Sequence, residues 1–178
     1  MTEQVIIAGF GGQGVMSIGQ MLTYAGMIED KNVSWLPSYG PEMRGGTANC
    51  NVIVSDELVG SPVVTEATAV LVLNKPSLDK FEIFVQENGL LIVNSSLVDK
   101  KTSRNDIKTY YIPANEIAAD IGNDKIANMV MLGAYIELTK VVSIDSVLEA
   151  LKKVLGESKA GLIPINRQAL ERGAACIQ

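Results

Sequence analysis

The sequence contains no histidine and only two cysteines among its 178 residues. The absence of histidine excludes serine–histidine and cysteine–histidine nucleophile pairs, together with the common zinc sites. An iron–sulfur cluster normally takes four cysteine ligands, so we expect this chain alone to hold none. Cys50 and Cys176 are best explained as ordinary thiols in a reducing compartment. Any redox centre must therefore be a bound organic cofactor or lie on another chain, and we expect no metal site.

Long apolar runs and excess positive charge are also lacking. The stretch IANMVMLGAYI, at 126–136, is shorter than the roughly 18–20 residues of a membrane span. The N-terminus carries Glu3 and no basic segment, which argues against a signal peptide. A net charge of −5 argues against nucleic-acid binding. These features predict a cytoplasmic protein that binds neither membranes nor nucleic acids.

Apolar residues make up 47% of the chain, while aromatic residues make up only 5%. This composition predicts a well-filled core and apolar surface that partner chains cover. We expect the isolated chain to self-associate or to behave poorly alone.

The order of the apolar segments predicts a single α/β domain over residues 1–178. We expect a Rossmann-like open and largely parallel sheet, an antiparallel hairpin and a helical C-terminal third. The first strand, QVIIAGF, leads through a helix to a parallel second strand, NVSWLP, by a right-handed crossover. The segment TANCNVIVSDELVGSPVV predicts the antiparallel hairpin. Further strands are predicted in TAVLVLN, GLLIVNSS and KTYYIPA, a helix around 77–87, and C-terminal helices with an N-cap at Ser143 and a first-turn proline at Pro164.

The stretch IIAGFGGQGV satisfies the pattern G-x-G-x-x-G between the first strand and the first helix. Glycines in such a turn let an anion approach the backbone N–H groups and the helix N-terminus. Dinucleotide binding would also require an acidic residue at the end of the second strand. That strand is followed by Ser38 and Tyr39, whereas Glu29 and Asp30 end the helix. We therefore favour a loop that faces an anionic cofactor shared with a partner, over autonomous NAD binding or a purely structural turn.

A second glycine-rich segment, SYGPEMRGG at 38–46, is predicted at the same carboxyl edge of the sheet. The guanidinium group of Arg44 presents several hydrogen-bond donors in one plane, an arrangement suited to binding phosphate or carboxylate. Glu42 can orient Arg44 or transfer a proton, and Tyr39 offers a ring and a hydroxyl. In the apolar C-terminal half, Asn128 is expected to bond to neighbouring backbone rather than to a ligand.

The motifs GFGGQGV and SYGPEMRGGTANCNVIVS resemble the gamma subunits of 2-oxoacid:ferredoxin oxidoreductases, of the pyruvate, 2-ketoisovalerate or 2-oxoglutarate type. NMVMLGAYIE and NRQALERG are similar to the same family, so that the resemblance covers nearly the whole chain. The resemblance implies a complex that oxidatively decarboxylates a 2-oxoacid on thiamine diphosphate with Mg²⁺. Electrons then pass through iron–sulfur clusters to ferredoxin, and the acyl group passes to coenzyme A. The short chain and SYGPEMRGGTANC favour the 2-oxoglutarate branch.

The resemblance also implies how this chain contributes. Thiamine diphosphate and the clusters are expected on companion alpha, beta and delta chains, so that this chain holds no cofactor and is inactive alone. No catalytic residue is assigned to it. Two alternatives remain. The chain could be a free-standing NAD(P)-binding Rossmann reductase, or a non-catalytic module that only stabilises an assembly. The residues expected to line the coenzyme A and active-site cleft are Gly9, Gly11, Gly12, Gln13, Gly14, Ser38, Tyr39, Gly40, Glu42, Arg44, Gly45 and Gly46.

We predict that Arg44→Ala in the assembled complex raises the Michaelis constant for coenzyme A or the 2-oxoacid. Losing one charge-assisted contact costs about 1.5–3 kcal/mol, which corresponds to roughly 10- to 150-fold. Arg44→Lys should recover only part of the loss, because a point charge does not reproduce a bidentate fork. Steady-state kinetics test this, with cluster content and assembly as controls. Unchanged constants, or dissociation of the complex, would make this segment a surface or assembly element.

Overall fold

The computed structural model describes residues 1–39 and 46–177, which form one six-stranded sheet flanked by helices. The strands are β1 Thr2–Phe10, β2 Asn32–Tyr39, β3 Thr47–Ser55, β4 Ala67–Val72, β5 Val85–Asn94 and β6 Lys108–Ile112. The α-helices are α1 Val15–Ile28, α2 Lys75–Phe81, α3 Ala114–Ile121, α4 Ala127–Thr139, α5 Ile144–Leu155 and α6 Ile163–Ala175. Among the described residues, none of the helices combines the length and apolar character that a membrane crossing requires.

The strand order is β2-β3-β1-β4-β5-β6, and β1, β4, β5 and β6 are mutually parallel. β3 pairs antiparallel with both β1 and β2. The predicted fold class is therefore confirmed: a largely parallel open sheet with an antiparallel hairpin and a helical C-terminal part.

The position of the hairpin was wrong. We expected both of its strands within TANCNVIVSDELVGSPVV, but residues 47–55 form the single strand β3, and its hairpin partner is β2. The segment 56–66 does not continue the sheet, although Val64 is buried against the sheet face. β2 has the direction expected of it, yet β3 separates it from β1. Strand propensity identifies a strand but not its partner, because pairing is decided by packing on the two faces.

The two faces of the sheet are covered unequally. Alternate residues of β3, namely Cys50, Val52 and Val54, belong to the core under α1, together with buried residues of α3, α4, α5 and α6. The opposite face packs Ile53 against a smaller cluster that contains the α2 residues Leu78 and Phe81. One face therefore carries most of the helical mass, and the other is covered by one short helix and irregular segments.

Local signals in the C-terminal third are confirmed. The Ser143 hydroxyl accepts a hydrogen bond of 3.1 Å from the Ser146 N–H at the start of α5, and Gly156 follows the last residue of that helix. Pro164 lies in the first turn of α6. The predicted all-round apolar helix is α4, which is buried from Asn128 to Ile136. The helix expected around 77–87 is shorter, because β5 already begins at Val85.

Helices α4 and α6 touch through two glycines that bring their backbones together. A Cβ added at Gly133 would lie 2.0 Å from the Leu170 carbonyl oxygen, and one at Gly173 would lie 1.9 Å from the Val130 carbonyl oxygen. Backbone atoms cannot move aside as a flexible side chain can. This contact therefore requires glycine at both positions.

We predict that Gly173→Ala lowers the free energy of unfolding by about 1–3 kcal/mol, because the methyl group must push α6 away from α4. Urea denaturation monitored by circular dichroism measures the change. Gly161→Ala is the matched control, since Gly161 is exposed and no described atom lies within 4 Å of a Cβ there. Equal stability of the Gly173→Ala variant and wild type would show that the helices do not approach this closely.

Candidate functional site

The glycine loop, residues 11–14, joins β1 to α1 at the carboxyl edge of the parallel strands. Gly12 and Gly14 have φ values of +93° and +77°, in the left-handed region that side chains rarely adopt. Gly14 directly precedes α1, and among the described residues no side chain caps this helix. The N–H groups in the first turn of α1 therefore face outward, and the positive end of the helix dipole lies at the same place. This is the geometry that we expected for approach of an anion.

The second glycine-rich segment lies beside the first. The Gly11 N–H donates a hydrogen bond of 2.9 Å to the carbonyl oxygen of Gly46. Ser38 and Tyr39 end β2 next to this contact, and both side chains are exposed, Tyr39 by 63%. Gly9, the glycine loop, Ser38, Tyr39 and Gly46 are thus brought together. Gly40, Glu42, Arg44 and Gly45 lie outside the described residues.

A cleft of about 360 Å³ opens between the glycine loop and the β2–β3 hairpin, and we call it the hairpin cleft. Its walls combine backbone of the glycine loop, the first turn of α1 and one aromatic ring from β2. The lining residues are Phe10, Gly11, Gly12, Gly14, Val15, Met16, Ser17, Tyr39 and Ala48. A cleft of this kind offers backbone donors to an anionic group and an apolar surface to the rest of a ligand.

A second cleft, of about 400 Å³, lies on the other side of the glycine loop, and we call it the switch-point cleft. The chain leaves β1 and β4 towards opposite sheet faces here, which is where open α/β sheets collect ligands. Asn94 at the end of β5 donates a hydrogen bond of 2.7 Å to the Asn115 side-chain oxygen. The lining residues are Gly12, Gln13, Gly14, Ser17, Leu73, Asn94, Asn115, Asp124, Lys125, Ala127 and Asn128.

Sequence reasoning did not identify Asn94, Asn115 or Lys125 as members of a site. One signal was present for Asn94, since the buried strand LLIV is followed directly by this polar residue. The other two lie beyond the end of β6, and only the tertiary fold brings them to the loop. Asn128 makes the backbone hydrogen bonds expected of it: its amide nitrogen donates to the Gly14 carbonyl oxygen at 3.3 Å, and its oxygen accepts from the Met129 N–H at 3.0 Å.

The geometry does not suit a dinucleotide. The strand next to β1, where the ribose-binding acid of such a site belongs, is the antiparallel β3. The candidate acid Glu29 follows the last residue of α1, and its carboxylate accepts a hydrogen bond of 2.7 Å from the Ser143 N–H. Its position at the far end of α1 removes it from the glycine loop.

The two thiols have different environments. The Cys50 sulfur is buried beneath α1, 3.7 Å from the Val15 carbonyl oxygen, whereas Cys176 is exposed after the end of α6. Burial raises the pKa of the Cys50 thiol to about 12, and the neighbouring Trp35 N–H offsets only part of that rise. Within residues 1–39 and 46–177 no cluster of three or more cysteine, aspartate or glutamate side chains is arranged for a metal ion.

The fold and the site define an open α/β domain whose glycine loop is joined to an antiparallel hairpin. A family model described as pyruvate ferredoxin/flavodoxin oxidoreductase matches residues 4–176. The gamma subunit of a keto/oxoacid ferredoxin oxidoreductase from Geobacter sulfurreducens is 32% identical in sequence. Its crystal structure superposes with a TM-score of 0.82 over 98% of each chain. The chain therefore belongs to the pyruvate ferredoxin/flavodoxin oxidoreductase family, and the resemblance seen in its motifs is confirmed.

The relatives differ in length. The 2-oxoglutarate synthase subunit KorC of Methanocaldococcus jannaschii is 36% identical over 85% of this chain and 82% of that protein. The ketoisovalerate oxidoreductase subunit VorA of Methanothermobacter marburgensis is 40% identical over 96% of this chain. VorA is much longer, and the chain spans only 36% of its length. A 2-oxoglutarate:ferredoxin oxidoreductase from Magnetococcus marinus, solved with coenzyme A and succinyl-CoA bound, shares the fold at 21% identity and a TM-score of 0.89. Only 31% of that chain is covered.

We predict that only Cys176 reacts with a thiol reagent in the native chain at pH 8. With a pKa of about 12, only about one Cys50 thiol in 10⁴ is ionised at that pH, and the sulfur is buried. The pKa of Cys176 is also raised by partial burial, so its reaction should be slow but complete. Ellman titration should give one thiol per chain in buffer and two in urea. Cys176→Ser should reduce the native count to zero, and two reactive thiols in native wild type would contradict the buried position of Cys50.

Proposed function

We propose that this chain is the gamma-type subunit of a 2-oxoacid:ferredoxin oxidoreductase that acts on 2-oxoglutarate and forms its acyl-CoA. The observation that carries the proposal is the Gly11–Gly46 hydrogen bond. It joins the two motifs by which the sequence resembles this family, and it gives them a common cleft. Family membership over residues 4–176 and a gamma subunit matched over its whole length support the same conclusion.

The proposed role of the chain is to close one side of the coenzyme A and 2-oxoacid cleft and to contact its companion subunits. The outward N–H groups of the glycine loop and of the first turn of α1 would hold a phosphate or carboxylate. The hydroxyl groups of Ser17 and Tyr39 lie at the same cleft and would orient the bound molecule. Arg44 and Glu42, in the segment that follows β2, would add charge.

Thiamine diphosphate, Mg²⁺ and the clusters are assigned to companion alpha, beta and delta chains. The residues of this chain do not fit an iron–sulfur cluster, because the two thiols occupy unrelated positions and Cys50 is held protonated by burial. When bound on its own chain, thiamine diphosphate supplies the carbanion chemistry that decarboxylation requires. What this chain adds is positioning of the acyl acceptor and exclusion of water from its side of the cleft.

Contact with companion chains is supported by the distribution of exposed apolar side chains. Leu58 and Ile83 are 90% and 72% exposed on the thinly covered side of the sheet, and Tyr39 is exposed at the cleft. Isolated exposed apolar residues are normal in a monomer, whereas apolar side chains as exposed as Leu58 and Ile83, together with a cleft, are what a contact with companion chains would cover.

The choice of 2-oxoglutarate is supported by KorC of Methanocaldococcus jannaschii, which is 36% identical over 82% of its own length, whereas the pyruvate synthase subunit PorC of Thermotoga maritima is 31% identical over 89% of its own length. The ketoisovalerate relatives are more similar per residue, but this chain spans only about a third of them, respectively 36% and 35%. Assembly with companion chains of matching specificity would decide the substrate, because the cleft is shared.

We predict that the complex purified through a tag on this chain reduces ferredoxin in the presence of coenzyme A, with the highest kcat/KM for 2-oxoglutarate. The measurement compares 2-oxoglutarate, 2-ketoisovalerate and pyruvate under identical conditions, and the isolated chain serves as the inactive control. Preference for 2-ketoisovalerate or pyruvate would make the substrate assignment wrong while leaving the subunit assignment intact. Full activity of the companion chains without this one would contradict the proposed role in the cleft.

A further inference from the structure

The side chain of Gln13 makes hydrogen bonds to protein groups at the carboxyl ends of the two paired strands β1 and β4. Its oxygen accepts from the Phe10 N–H at 2.7 Å and from the Asn74 side-chain nitrogen at 3.4 Å. Its nitrogen donates to the Leu73 carbonyl oxygen at 3.2 Å. Asn74 is itself the N-cap of α2, where its oxygen accepts from the Ser77 N–H at 2.9 Å. The amide of Gln13 therefore connects the glycine loop to the end of β4 and the start of α2.

The glycine at position 9 leaves room for this amide. A Cβ at Gly9 would lie 2.6 Å from the Gln13 side-chain oxygen and 3.0 Å from both Leu73 and Val15. Gly9 is a buried residue of β1, so that its missing side chain makes space inside the protein. A side chain at position 9 would therefore displace the Gln13 amide and crowd Leu73 and Val15.

Asn128 holds the loop from the opposite side. Its side-chain nitrogen donates to the Gly14 carbonyl oxygen at 3.3 Å, and the same oxygen accepts from the Ile18 N–H at 3.0 Å. A Cβ at Gly14 would lie 2.3 Å from the Asn128 nitrogen. Asn128 is buried in α4, a helix packed between the sheet and α6. The Gly14 carbonyl is thereby turned inward.

These contacts restrict the conformational freedom of the glycine loop. Glycine loses more conformational freedom on folding than any other residue, and this segment has four glycines within six residues, 9–14. Without fixed contacts the backbone donors would sample many directions. The partly buried Gln13 amide bonds to backbone at Phe10, before the left-handed turns, and the buried Asn128 amide bonds to backbone at Gly14, so that both ends of the loop are restrained.

We propose that Gln13 and Asn128 are positioning residues that fix the glycine loop for its ligand, and that the loop's backbone N–H groups make the ligand contacts. This inference rests on the proposed function, in which the loop borders the coenzyme A and 2-oxoacid cleft. Gln13 was expected to line the cleft and contact the ligand directly. In this proposal it acts on the ligand indirectly, by fixing the backbone that makes the contacts.

The variant Gln13→Glu separates positioning from mere folding through its effects on KM and kcat. A carboxylate keeps the bonds from Phe10 and Asn74 but places an ionised oxygen against the Leu73 carbonyl, which it cannot satisfy. We expect the KM for coenzyme A or 2-oxoacid to rise about 10-fold with little change in kcat, whereas a loss of folded protein would lower kcat per chain and leave KM unchanged.

Two further measurements complete the test. Hydrogen exchange of the amides in residues 10–17 of the full chain should accelerate in Gln13→Glu at pH 8 and in Asn128→Ala. Exchange in β4 should stay unchanged. Gln168→Glu, which adds the same charge at an exposed position of α6, is the matched control and should leave both exchange and kinetics at wild-type values.

The outcomes are distinguishable. Faster loop exchange together with a raised KM and a nearly unchanged kcat in both variants supports the inference. Wild-type exchange and wild-type KM in both variants would overturn it, since the loop would then hold its shape without these amides. Faster exchange with an unchanged KM for coenzyme A and for the 2-oxoacid would overturn the ligand role of the loop, and with it the proposed function of this cleft.

Discussion

The antiparallel ladder between β1 and β3 determines where the two glycine-rich segments meet. It runs without interruption from Thr2 opposite Ser55 to Phe10 opposite Thr47. Side chains alternate between the two faces of a strand, so a slip by one residue would turn the buried face of β3 away from α1. Burial of Cys50 and Val52 under α1 therefore fixes the register, and that register brings Gly46 within hydrogen-bonding distance of Gly11. Both clefts depend on this arrangement, because one lies between the glycine loop and the hairpin and the other lies directly behind the loop.

The glycine loop shows how one motif combines several structural requirements. Two of its glycines have positive φ values, and the preceding Gly9 makes room for a side chain of the loop itself. The Gln13 amide bonds to Phe10, directly before the loop, and the Asn128 amide bonds to Gly14 at its end, which leaves the N-terminus of α1 open to the clefts. A loop of this construction offers a rigid set of backbone donors without contributing charge, so a charged ligand would be neutralised mainly by residues outside the loop or on a companion chain.

Elements with local signals could be predicted from the sequence. The apolar run before the glycines, the serine N-cap of α5 and the proline in α6 act within a few residues, and each lies where we expected it. The hairpin was misplaced because β3 has two partners, and neither is the segment that follows it in the chain. The residues of the switch-point cleft were largely missed for a related reason. They come from the ends of β5, α3 and α4, and their approach to the loop depends on strand order and helix packing.

The sequence by itself determined the fold class, the glycine loop and the family to which the chain belongs, because these depend on short-range patterns of apolar residues, glycines and caps. Only the tertiary structure decided that β3 lies between β1 and β2, that the loop is bordered by two clefts, and that the Gln13 amide bonds to Phe10 and Leu73. The physical reason is that each of these features satisfies buried polar groups or fills space between segments far apart in the chain. The partner of a strand or of an amide is fixed only when the whole core closes around it.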